Sequence, residues 1–139
     1  MQKLVIDTNV LISSLLGKSY PHKIIFDLVF TGRVQLFLSP DILKEYNGVL
    51  ARKKFASKLG PEIVTDILES LISSAIITEA SLSLNLLKDE SDNKFIDLAI
   101  SIDANFLITG NTKHFPFGKF RNTQIILPGV YWNMYGTWL

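Results

Sequence analysis

The stretch Lys3-Leu4-Val5-Ile6-Asp7-Thr8-Asn9-Val10-Leu11 decides how the rest of the chain reads. Leu4, Val5 and Ile6 form a short apolar run rich in β-branched residues, the pattern of a strand buried on both faces. Asp7 then sets an ionisable group at the carboxyl end of that strand. Over residues 8–16 the apolar positions Val10, Leu11, Leu15 and Leu16 suit a helix, with Ser13 and Ser14 weakening it. A buried strand that runs straight into a helix opens a βα unit.

The alternation continues. Residues 17–20 read as loop. Pro21 suits the first turn of a helix that carries Ile24, Ile25, Leu28 and Val29 and is ended by Gly32. Residues 34–38 predict a second strand. Ser39 as N-cap and Pro40 as first helical residue open a helix to about residue 53, with Ile42, Leu43, Tyr46, Val49 and Leu50 on one face. Gly60-Pro61 breaks the chain before a helix over 61–73. A short third strand is expected at 75–78, an irregular stretch at 79–90, and a helix at 92–103 with Phe95, Ile96, Ala99 and Ile102 as its stripe. Strands at 105–109 and 123–127 follow, and Pro128 starts a last turn or short helix. The expected fold class is therefore α/β: three layers, α/β/α, around a central, mostly parallel five-stranded sheet.

The composition bounds this picture. The 139 residues match one domain of the usual ~100–200, taken as 1–139 with a core over about 3–127 and an aromatic tail at 128–139. A 47% hydrophobic and 19% charged chain has ample material for a core and is not a disordered one. A net charge of +1 excludes a histone-like binder, though not a local nucleic-acid patch. The absence of cysteine excludes disulfides, thiolate zinc sites and a Cys nucleophile. His22 and His114 are too few for a histidine-built metal site, so any metal must sit on carboxylates. No apolar run approaches the ~18 residues of a membrane span, and the run before Asp7 is too short for a signal peptide, so a cytoplasmic protein is expected.

In parallel sheets ligands bind at the carboxyl ends of the strands, near the switch in strand order. Asp7 ends the first strand and Asn111 lies just past the fourth. Asp92 opens the helix before the fourth strand and projects with Phe95, Ile96 and Ala99. Glu45 falls at the margin of its helix's apolar stripe, whereas Asp97 projects roughly opposite Phe95 and Ala99. Carboxylates gathered at one sheet end repel unless a cation joins them, and hard cations such as Mg²⁺ and Mn²⁺ take oxygen ligands. Blander roles exist for each: a helix cap for Asp92, a solvated helix residue for Glu45, an Asx turn for Asp7.

With Val5-Ile6-Asp7-Thr8-Asn9-Val10-Leu11, Glu45 in Ser-Pro-x-x-x-x-Glu, Asp92-Asn93-Lys94-Phe95-Ile96-Asp97-Leu98-Ala99 and Leu107-Ile108-Thr109-Gly110-Asn111 in this order, the chain resembles a PIN domain. A free-standing domain of this length is similar to the VapC-type toxins of toxin–antitoxin pairs. The resemblance implies an Mg²⁺- or Mn²⁺-dependent ribonuclease, commonly homodimeric and silenced by a cognate antitoxin. It assigns Asp7, Glu45 and Asp92 as catalytic acids and metal ligands, with Thr8 and Asn9 as the polar pair supporting the first and Thr109 as a further support. Asn111 stands where the family often has a fourth acid. It offers one neutral carbonyl oxygen in place of a charge, so weaker metal binding is expected. Asn111 and Asp97 are the secondary metal candidates.

Lys113, His114, Lys119 and Arg121 form a basic cluster interleaved with Phe115, Phe117 and Phe120, which suits single-stranded RNA or, equally, a solvated surface over core aromatics. Arg52, Lys53, Lys54 and Lys58 read as a solubilising face. The tail aromatics Tyr131, Trp132, Tyr135 and Trp138 suggest docking onto the body, a second copy or an antitoxin. Position 9 is Asn where a haloacid-dehalogenase-type phosphatase needs Asp. No G-x-G-x-x-G, P-loop or nucleophile-elbow motif occurs. The competing reading is a degenerate PIN scaffold that binds RNA or an antitoxin without cleaving.

Overall fold

The computed structural model describes residues 1–17 and 19–139, without the side chains of residues 53, 55 and 56. Lys18 of the expected 17–20 loop and the Lys53 side chain of the first basic cluster therefore lie outside the described residues. The elements begin with β1 (Lys3–Ile6), α1 (Thr8–Leu15), the short α2 (Ser19–His22) and a π-helical segment, Lys23–Val29. β2 (Gln35–Leu38), α3 (Pro40–Leu50), α4 (Lys53–Leu59), α5 (Pro61–Ser74) and β3 (Ala75–Ile77) follow. After an irregular stretch come α6 (Asn93–Ser101), β4 (Phe106–Ile108), β5 (Lys119–Phe120), β6 (Thr123–Ile126) and α7 (Pro128–Met134).

The sheet order is β3-β2-β1-β4-β6-β5, parallel throughout except for β5, which pairs antiparallel with β6. Strands β1 and β4 sit at its centre in register Leu4↔Phe106, Val5↔Leu107 and Ile6↔Ile108. Leu4, Val5, Ile6, Leu107 and Ile108 are fully buried, as strands covered by helices on both faces must be. The chain leaves β1 toward β2 and β3, then returns to the other side of β1 as β4. The switch in strand order thus falls between β1 and β4.

The sheet has six strands, not the five expected. The extra one, β5, is two residues long, too short for any period to show. It forms a hairpin with β6 through Arg121, whose φ of 51° is left-handed. Residues 23–29 wind wider than an α-helix, with Phe30 N–H donating to Ile25 C=O at 3.0 Å, yet Ile24, Ile25, Leu28 and Val29 stay buried. Helix α3 stops at Leu50, short of the expected residue 53, and residues 53–59, which carry most of the basic cluster, form the separate α4.

The irregular 79–90 stretch is fastened to α6 by one stripe of its side chains. Asn93 Oδ1 accepts from Leu87 N at 3.0 Å, Asp97 Oδ1 from Leu84 N at 3.0 Å, and Ser101 Oγ from Ser81 N and Leu82 N at 3.0 and 3.1 Å. Residues 93, 97 and 101 are one helical turn apart. Leu98 and Ile100 are buried as well as Phe95, Ile96 and Ala99. Helix α7 docks on the body through Tyr131, whose ring is fully buried 5.1 Å from that of Phe106 and whose hydroxyl donates to Gln2 Oε1 at 2.6 Å.

Candidate active site

The carboxyl ends of β1 and β4 place Asp7 and Thr109 side by side at the switch point, the crevice that parallel sheets offer to ligands. Asp7 N–H continues the ladder by donating to Ile108 C=O at 2.9 Å. The carboxylate is buried, and Thr109 Oγ1 donates to its Oδ2 at 2.7 Å. Burial lifts its pKa above the ordinary aspartate value, and Glu45 adds to the rise. The Thr109 hydrogen bond and the amides of Asn9 and Thr8 pull the other way.

Thr8 serves both acids, and its amide acts on Asp7. Its hydroxyl donates to Glu45 Oε2, so the first turn of α1 positions the second acid. Asn9 contributes its backbone to Asp7, while its side chain is exposed. Glu45 Oε1 takes Lys94 Nζ at 2.6 Å. The next residue on α3, Tyr46, is fully buried and donates its hydroxyl to Ile6 C=O, tying α3 to the end of β1. Burial, with Asp7 and Glu45 nearby, pushes that hydroxyl well above its ordinary pKa, so it stays a neutral donor.

Asp92 ends a 3₁₀ turn, Glu90–Asp92, just before α6. Its Oδ2 is buried and makes no hydrogen bond; His114 Nδ1 lies 3.1 Å away. Burial raises the Asp92 pKa, and Asp89 and Asp7 raise it further, while His114 lowers it. Asn111 Nδ2 stands 2.8 Å from His114 Nε2.

Asp7, Glu45 and Asp92 thus share one end of the sheet and repel one another there. Among the described residues, however, no group of three or more His, Asp or Glu side chains is drawn into a ready cation cage. The donor set still fits a hard cation. Burial raises the pKa of two of the carboxylates, and a buried oxygen of one, Asp92 Oδ2, meets only a histidine ring nitrogen. Asp97, the other acid candidate on α6, is committed to Leu84 N–H on the stripe beneath residues 79–90.

The basic candidates separate. Lys113 and His114 line the Asp92 side of the site, whereas Lys119 and Arg121 lie on and just after β5 at the sheet's outer edge. Phe115 is buried, and Phe117 packs on Phe120 with ring centres 5.1 Å apart, so these rings serve the body of the fold.

The PIN domain family profile matches residues 3–113, a span that holds every acid and strand of this site. The chain belongs to the PIN domain family. Membership makes a nuclease the enzyme class this fold carries here. A relative from Methanocaldococcus jannaschii, described only as an uncharacterized protein, is 39% identical over 111 residues, covering 78% of this chain and 70% of its own length. The crystal structure of VapBC2 from Rickettsia felis bound to a DNA fragment from their promoter contains a chain with the same fold. It superposes with a TM-score of 0.59 at 17% identity, over 91% of this PIN domain and 98% of that chain.

Two residues of the PIN site escape a sequence reading. Lys94 sits inside the Asp92 motif, and the signal for it is the charge balance of a half-buried acid cluster, which calls for a cation nearby. Tyr46 reads only as one more member of an apolar stripe. No helix among the described residues is long and apolar enough to cross a membrane.

Proposed function

We propose that this PIN domain is an Mg²⁺- or Mn²⁺-dependent endoribonuclease that hydrolyses phosphodiester bonds of single-stranded or structured RNA. Asp7, Glu45 and Asp92 hold the metal, with Asn111 as a neutral fourth ligand. The observation that carries the reading is Asp92 at the switch point of the sheet, in repulsion with Asp7 and with a buried Oδ2 that meets only the His114 ring nitrogen 3.1 Å away. A fold keeps such a costly arrangement where a cation relieves it. The bound ion supplies an activated water and offsets the charge of the reacting phosphate. The residues do the rest: Thr109 orients Asp7, Thr8 orients Glu45, and Lys94 holds Glu45 in place.

By the likeness to the VapBC2 chain, we infer a cytoplasmic toxin of a toxin–antitoxin pair, acting as a homodimer and bound by a small antitoxin protein. The second reading is a PIN scaffold that binds without cutting. The Glu45–Lys94 ion pair and the Asn111–His114 contact favour it, since both occupy groups a metal would use. Incubating a mixed single-stranded RNA pool with the purified chain and Mn²⁺, Mg²⁺ or EDTA, beside Asp7→Asn, separates them. Metal-dependent cleavage that the variant loses supports the nuclease. RNA binding without cleavage under either metal overturns it.

A further inference from the structure

Two clefts flank the acids, and they differ in charge. The one beside Lys94, lined also by Asp41, Glu79 and Asp97, presents three carboxylates against one ammonium and repels a phosphate chain. The other, about 620 Å³, is lined by Leu86, Lys88, Asp89, Lys113, His114 and Pro116. It opens beside Asp92, because His114 forms part of its wall and stands 3.1 Å from Asp92 Oδ2. Its one carboxylate, Asp89, is exposed and held by its own chain, with Oδ1 accepting from Ser91 N at 3.0 Å and Ser91 Oγ at 2.7 Å, so the two lysines still outnumber it. Lys88 and Lys113 are exposed, and among the described residues neither has a carboxylate within ion-pair distance.

We propose that this second cleft is a nucleotide subsite that fixes where RNA enters the centre. One unpaired base lies against Leu86 and Pro116, and its flanking phosphates lie against Lys88 and Lys113. The inference rests on the ribonuclease reading and gives the substrate a path. Apolar walls with cations at the rim suit a base and its two phosphates, and the volume lies within the usual ~300–1,000 Å³ of ligand sites. The 79–90 stretch, pinned to α6 by Asn93, Asp97 and Ser101, gives this wall a fixed shape. Lys88 and Leu86 thereby join Lys113 as residues that set binding, while Lys119 and Arg121 at the outer edge lie apart from it.

The test is fluorescence anisotropy of a labelled single-stranded RNA ten-mer with the full chain in EDTA, where no metal-dependent cutting competes. Lys88→Glu and Lys113→Glu are compared with Lys58→Glu on α4, each checked by thermal melting for an intact fold. Each cleft variant is expected to weaken binding about tenfold and to lower the salt slope by about 0.7–1, while Lys58→Glu binds as wild type. An abasic ten-mer is expected to bind more weakly than the normal one. Wild-type affinity in both cleft variants, no measurable wild-type binding, equal binding of the abasic strand, or tighter binding of the same sequence as DNA each overturns the proposal. Cleavage with Mn²⁺ is scored separately. A chain that binds through the cleft but never cuts refutes the nuclease reading alone, and one that cuts regardless of the lysines refutes the subsite alone.

Discussion

Lys94 Nζ lies 2.6 Å from Glu45 Oε1, with both side chains about a quarter exposed. The pair joins the first turn of α6 to the middle of α3, and it places a positive charge beside one of the three acids. A partly exposed ion pair is worth at most ~1 kcal/mol, so stability hardly depends on it. A cation approaching Glu45 meets the ammonium as a like charge. Lys94→Gln is therefore expected to tighten Mn²⁺ binding about fivefold, from ~1 kcal/mol of relieved repulsion, with little change in melting temperature. Calorimetric titration of the purified chain checks this. Unchanged or weaker Mn²⁺ binding would show that Lys94 does not compete for Glu45.

Asp7 is expected to cost the metal-free protein stability. Its folded pKa is raised, chiefly by burial, so the unfolded chain gives up this proton more readily. Below the unfolded value near 3.9 both states are protonated and the cost is absent. It builds as pH rises from there toward the folded pKa, and holds above it. Asp7→Asn should accordingly melt higher than wild type at pH 7 in EDTA, with the gap closing at about pH 3.5. Mn²⁺ should raise the wild-type melting temperature more than that of the variant. A variant less stable at pH 7 would mean that burial of the charge is fully compensated.

Thr109 acts on the same carboxylate in the opposite sense. Its hydrogen bond to Oδ2 favours the ionised form, and its Oγ1 also accepts from Asn111 N at 3.1 Å. Thr109→Val keeps the shape and removes both bonds. The expected loss is about 1–3 kcal/mol at neutral pH. Because the Asp7 pKa then rises further, the acid limb of the cleavage profile should move to higher pH. A pH–rate series on wild type and variant decides it, and coincident limbs would remove Asp7 from the titration that activity reports.

Much of this was legible in the residues. A buried run ending in an acid located β1 and Asp7 together, and Ser39-Pro40 located the start of α3. Glu45 at the stripe margin did prove half-buried. Contacts between segments distant in sequence were not legible. Nothing local tells that Thr8 bonds to Glu45, 37 residues on, or that Thr109 bonds to Asp7, 102 residues back. The two-residue β5 and the irregular wall carrying Leu86 and Lys88 have no period to read.

Asp97 shows the same limit from another side. Helical projection sets it apart from Asp92, but only the fold shows what it does: it holds the 79–90 stretch through Leu84 N–H. Asp97→Ala leaves that amide without its acceptor, at a cost of ~1–3 kcal/mol. Mn²⁺ affinity should stay within about twofold, since the residue lies off the metal set. Denaturant melts and calorimetry on the same variant check both halves. A large fall in Mn²⁺ affinity with an intact fold would return Asp97 to the ligands.

Asn111 tests the metal reading most directly, because one atom separates it from a carboxylate. Its amide stands 2.8 Å from His114 Nε2, and Nδ1 of the same ring lies 3.1 Å from Asp92 Oδ2. Asn111→Asp adds a negative charge where Asp7 and Asp92 already repel one another. Without metal the variant should be less stable at pH 7, and this deficit should vanish on acidification as the acids protonate. With metal the order reverses: ligand charge tunes cation affinity, so Mn²⁺ should bind about tenfold more tightly. Paired melts with EDTA and with Mn²⁺, beside a titration, read out both signs. Equal Mn²⁺ affinity in the two proteins would mean that position 111 never reaches the ion, and that Asn111 serves only to set the ring of His114.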